Sequence, residues 1–151
     1  MRRFAMVVSV LALAACAKKD EAPSTPAGGA MAGAPMDLKT VAGEWNFKTM
    51  GMASDSVLTT GTLVATADTA GWTMTLPGRS TMALKITVSG DSIMAAAPQY
   101  ESVLRKGVMV NTSSTYHLVG DKLIGTTVAH YTVTTADSVL ALRTEGVRAP
   151  K

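Results

Sequence analysis

With 151 residues, 47% of them hydrophobic, the chain has material for one globular domain and a short leader, but not for two domains of ordinary size. Its 14 basic residues outnumber 11 acidic ones, but Arg2 and Arg3 fall in a leader read as removed, leaving 12 − 11 = +1 for the rest. That near-neutral balance, with aromatics at only 5%, excludes the basic stripe and stacking platform of a nucleic-acid binder.

Residues 1–15 read as a secretory signal. Arg2 and Arg3 supply a cationic start, an apolar run extends from Phe4 to Ala15, and small residues precede Cys16. A membrane-spanning helix needs about 20 apolar residues, and Lys18, Lys19, Asp20 and Glu21 end this run too early, so the segment is expected to be cut off. Leu13-Ala14-Ala15-Cys16 resembles the lipobox of bacterial lipoproteins. The resemblance implies cleavage before Cys16, a diacylglyceryl thioether on its sulfur and an acylated amino terminus. An ordinary signal ending on a chance cysteine is the alternative, but it leaves an exported protein with one thiol and no disulfide partner. Two or three acyl chains, at about 0.8 kcal/mol per buried methylene, make the attachment lasting. Ala17 after the cysteine, where Asp would favour inner-membrane retention, resembles the sorting pattern of outer-membrane lipoproteins facing the periplasm.

Residues 16–36 are expected to form the lipidated cysteine and a flexible tether, because Ala, Gly, Pro, Ser and Thr dominate and Met31 and Met36 are the only sizeable apolar side chains. A coil of this length reaches roughly 25 Å. Residues 37–151 suit a single domain.

From Gly43 onward the pattern is period two and rich in β-branched residues, with no helical periodicity, which predicts an all-β domain. Asp recurs at the head of apolar runs, as in Gly90-Asp91-Ser92-Ile93 and Gly120-Asp121-Lys122-Leu123, where a chain reversal needs a turn former. Strands are predicted over 43–50, 57–66, 71–77, 82–89, 92–100, 107–119, 122–133 and 138–147, about eight in all. Two-residue turns at Gly90-Asp91 and Gly120-Asp121 set Val88 opposite Ile93, Ile86 opposite Ala95, Leu118 opposite Leu123 and Tyr116 opposite Gly125. A five-residue loop over 77–81 likewise aligns Leu76 with Met82 and Met74 with Leu84. One face is then apolar and the other rich in Thr, Ser and Lys. A meander with one wet face hides the other by curling into a small up-and-down barrel; a two-sheet sandwich is the alternative.

Gly43-Glu44-Trp45 at the head of the first strand, after a short helical turn over 37–42, resembles the opening G-x-W motif of lipocalins and the wider calycin group. The resemblance implies a barrel whose Trp45 packs at the closed end beneath an arginine of the last strand, either Arg143 or Arg148, and an apolar ligand within. Trp45, Trp72, Met74, Tyr116 and Tyr131 are the candidate wall residues. Small residues at the middle of the two long strands, Thr112, Ser114, Gly125, Thr127 and Ala129, leave room for a cavity unless side chains from across the barrel fill it.

Catalytic and metal sites are not expected. His117 and His130, the only histidines, fall about 20 Å apart along a strand, too far to share an ion. No serine or cysteine nucleophile has a base placed by motif, and no cofactor fingerprint is present. Two functional readings follow: a membrane-anchored envelope lipoprotein whose barrel binds a small apolar ligand, or a ligand-free structural or interaction lipoprotein.

Overall fold

The computed structural model describes residues 35–150; the signal over 1–15, Cys16 and all but the last two residues of the tether lie outside them. Asp37 opens α1 (Leu38–Val41), its carboxylate accepting the Lys39 amide at 3.0 Å as an N-cap does. Ten strands follow: β1 (Gly43–Gly51), β2 (Val57–Ala65), β3 (Thr73–Thr75), β4 (Met82–Ala83), β5 (Lys85–Ser89), β6 (Ser92–Ala96), β7 (Tyr100–Glu101), β8 (Met109–Val119), β9 (Lys122–Tyr131) and β10 (Val139–Arg148). They form one antiparallel sheet in the order β4-β3-β2-β1-β10-β9-β8-β6-β5, with β7 on β8. Because the first strand pairs with the last, the meander curls into a nearly closed barrel, not a sandwich, an architecture compatible with the lipocalin-like expectation.

The strand count exceeds the predicted eight because two predicted strands are interrupted. The stretch 82–89 changes partner at Leu84: β4 pairs with β3 and β5 with β6, while the Leu84 amide donates to the Trp72 carbonyl at 2.9 Å. Tilted, staggered strands overlap their neighbours over only part of their length, and here one strand serves the two sides in turn. The stretch 92–100 breaks at 97–99 because Pro98 has no N–H for the ladder.

Both hairpin registers are as predicted, with Ile86 opposite Ala95, Val88 opposite Ile93, Tyr116 opposite Gly125 and Leu118 opposite Leu123. Gly90 (φ 57°) and Gly120 (φ 59°) supply the left-handed residue of each turn. The β3–β4 register is a correction: Met74, not Leu76, faces Met82. A slip of two residues keeps every side chain on its face, so the apolar inner set survives it. β3 is also shorter than predicted, because the preceding chain bonds locally. The Asp68 carboxylate accepts the Ala70 amide at 2.9 Å, and the Asp68 carbonyl accepts the Trp72 indole N–H at 2.8 Å.

The barrel is solid at the end where α1 lies. Leu38, Val41, Trp45, Trp72, Ile93 and Leu123 are buried together there. An indole buries on the order of 200 Å², which at ~25 cal/mol per Å² contributes roughly 5 kcal/mol as an upper bound. Trp45 donates its indole N–H to the Val41 carbonyl at 2.8 Å, and its register partner Arg148 lies over the ring at 4.3 Å. Arg148 also donates to the Ala42 carbonyl at 3.0 Å and to the Thr40 carbonyl, tying the end of α1 to the last strand. Gly43 makes room for it, since a Cβ there would sit 3.1 Å from the guanidinium. Of the two arginines considered, Arg148 therefore stacks on Trp45. Arg143 has the outward parity in β10 and binds the Ser54 carbonyl and Asp55 carboxylate of the β1–β2 turn. On the outer face Glu145 joins Lys48 at 3.2 Å and Lys122 at 2.7 Å, and these lysines, Lys122 first, hold its carboxyl below the ordinary glutamate range.

Candidate functional site

Above the solid end, alternation brings different side chains inward. β1 continues from Trp45 through Phe47 to Thr49, and β10 runs from Gly146 through Thr144 to Leu142. Small inward residues leave a partly open hollow of about 50 Å³ at the far end of the barrel.

One wall of the hollow is a chain of hydroxyls crossing four neighbouring strands. Thr49 meets Thr144 at 3.2 Å, Thr144 meets Thr127 at 2.9 Å, and Thr127 meets Ser114 at 2.8 Å, with all four residues buried. Thr144 leans toward Thr127 because its direct partner in β9 is Gly125, which presents no side chain. Gly125 also receives the Tyr116 ring: a Cβ there would fall 2.7 Å from Tyr116 Cδ1. Gly61 does the same for Phe47, whose Cζ lies 2.5 Å from where a Cβ would be. Burial pushes the pKa of the Tyr116 phenol up, offset in part by the hydroxyls of Ser114 and Thr127, and burial likewise raises that of Tyr100, offset by Thr112. Both phenols therefore stay neutral. The rest of the lining includes the apolar side chains of Phe47, Met74, Leu76, Val110 and Leu142.

The cover is the β7–β8 connection over 102–108, which turns Val103 and Leu104 into the hollow. The Ser102 hydroxyl accepts the amides of Leu104 and Arg105, each at 3.0 Å, and the Glu101 carboxylate accepts the Gly107 amide at 3.0 Å. Two arginines fasten this segment. On one side Arg79 pairs with the Glu101 carboxylate at 3.3 Å and donates to the Glu101 carbonyl at 2.9 Å and the Ser102 carbonyl at 3.2 Å. On the other, Arg105 stands 4.0 Å over the Tyr131 ring and donates to the Asp137 carbonyl at 2.9 Å. Among the described residues no charged side chain lines the hollow itself.

Of the five candidate wall residues, Met74, Tyr116 and Tyr131 line the hollow, whereas Trp45 and Trp72 are packed into the solid end. Gly43, Trp45 and Arg148 come together as one closure. Sequence reasoning passed over Phe47, Thr49, Tyr100, Leu142 and Thr144. Period-two alternation from Trp45 and from Gly146 would have found four of these, but Tyr100 and the cover depend on how a loop folds back. His117 sits beside Ile124 and His130 beside Asn111, as the hairpin register required. Among the described residues no group of three His, Cys, Asp or Glu side chains is placed to hold a metal ion.

No protein-family model matches the chain, and no curated protein or solved structure matches it either.

Proposed function

We propose that this chain is a lipid-anchored protein of the bacterial envelope whose lipocalin-like barrel holds a small, largely apolar ligand in the hollow of its open end. The observation that carries the reading is the hollow: a barrel solid at one end keeps, at the other, a cavity walled by Phe47, Met74, Tyr100, Tyr116 and Tyr131 and covered only by a loop. Anchoring rests on the lipobox ending in Cys16, and outer-membrane residence on Ala17 after it. Binding without catalysis fits a lining in which, among the described residues, the only ionisable groups are phenols.

A second reading, a ligand-free structural or interaction lipoprotein, is favoured by size. Ordinary ligand pockets enclose about 300–1,000 Å³, against a hollow of about 50 Å³, so a ligand has to displace Val103 and Leu104. Native mass spectrometry of the full-length protein, extracted from its own membranes in mild detergent, distinguishes the two. A bound apolar mass of small-molecule size is expected; an empty barrel that also ignores added ligands leaves the second reading. Cys16→Ser is expected to release the protein from membranes and abolish acyl labelling, and a variant still labelled would refute the anchor.

A further inference from the structure

The hydroxyl chain gives the hollow a chemical preference. Thr49, Thr144, Thr127 and Ser114 carry four protons and eight lone pairs, of which their three mutual hydrogen bonds consume three and three. One proton and five lone pairs are left in the chain, and the phenols of Tyr100, Tyr116 and Tyr131 in the same lining bring donors of their own, so the hollow offers both kinds of partner with acceptors in excess. A guest that can both donate and accept a hydrogen bond meets partners of both kinds; one that only accepts leaves the surplus lone pairs of the chain unused.

Charge narrows the choice further. Among the described residues no carboxylate, guanidinium or ammonium group lines the hollow, and the phenols of Tyr100 and Tyr116 are neutral. An ionised guest would lose its hydration and gain no counter-charge. The arginines of the cover do not supply one: Arg79 is paired with Glu101, and Arg105 is engaged by Tyr131 and the Asp137 carbonyl.

We infer that the hollow selects a neutral guest bearing a hydroxyl group on an apolar or aromatic body, an alcohol or phenol, and rejects carboxylates and ammonium ions. The inference rests on the binding reading above and specifies its ligand class. Aromatic rings beside hydrogen-bond acceptors suit such a guest, with the hydroxyl directed at Thr127, an inner member of the chain.

The test uses full-length protein in detergent and four probes of one skeleton, phenol, anisole, benzoate and benzylammonium, titrated by NMR with the Tyr116 and Tyr131 ring signals as the readout. Phenol is expected to bind at least tenfold more tightly than the other three. In Thr127→Val its advantage over anisole should shrink about tenfold, and Thr127→Ser, which keeps the hydroxyl, should retain it. Should benzoate or benzylammonium bind as well as phenol, or anisole match it, the inference is overturned while the binding reading stands. If none of the four moves either ring signal, both fall. Retained discrimination in a folded Thr127→Val protein would remove the hydroxyl chain as its cause.

Discussion

The two ends of the barrel meet the same requirement, an inward face shielded from water, with opposite side-chain chemistry. At the α1 end two indoles fill the space, and each sends its N–H to a carbonyl four residues earlier in its own chain, Trp45 to Val41 and Trp72 to Asp68. At the open end the hydroxyls of threonine and serine leave space and satisfy one another across strands. Each end also sets an arginine over an aromatic ring, Arg148 on Trp45 and Arg105 on Tyr131, but with different neighbours. Arg148 fastens a helix end to a strand; Arg105 fastens a loop. The difference separates a filled end of the domain from an end that encloses a hollow.

The largest expected effect tests that separation directly. Trp45→Ala removes the centre of the solid end and should cost about 3–5 kcal/mol in urea unfolding, whereas Thr127→Val, which keeps the shape and loses hydrogen bonds, should cost about 1–2 kcal/mol. Equal losses would erase the distinction between the ends. Gly125→Val comes next, at about 1–3 kcal/mol or more, because the new side chain meets the Tyr116 ring and the Thr115 carbonyl; a lowered melting temperature with altered near-ultraviolet dichroism of the tyrosines would register it. The arginine pair sharpens the contrast at smaller magnitude. Each cation–π contact contributes about 0.5–1 kcal/mol, but Arg105→Ala should accelerate amide exchange chiefly over 102–108, and Arg148→Ala over α1 and the start of β1. The mildest perturbation is alkali. Burial raises the folded-state pKa of Tyr100 and Tyr116, so their contribution is complete below the unfolded tyrosine value of about 10 and declines above it. Phenolate absorbance from these two should emerge only beyond the ordinary tyrosine range, together with loss of stability.

Much of this architecture was legible in the residues. Gly-Asp turns fix register through geometry that admits few alternatives, so the β5–β6 and β8–β9 hairpins followed from parity alone. Longer connections do not constrain register so tightly, and the β3–β4 loop slipped by two residues without moving any side chain to the wrong face. The inward face was readable for the same reason, including the small residues Ser114 and Thr127. Its division into a filled end and a hollow end was not, because that depends on which inward residues share a level once the strands tilt. Trp72 looked like a wall residue by parity and belongs to the solid end by level. The cover could not be read at all: apart from the Arg79–Glu101 ion pair, Ser102, Glu101 and Arg79 act through backbone groups that no side-chain pattern reveals.

The seam between β1 and β10 has a consequence for how the domain forms. Trp45 pairs with Arg148, and closing a loop of 148 − 45 = 103 residues comes late and slowly in a folding reaction. Until β10 arrives, β1 and β9 each present an open edge, the kind that invites pairing with other chains. A ribosome or export channel that delivers the chain from its amino end thus releases a sheet with two sticky borders, and the last ten-residue strand acts as the zip that retires both at once.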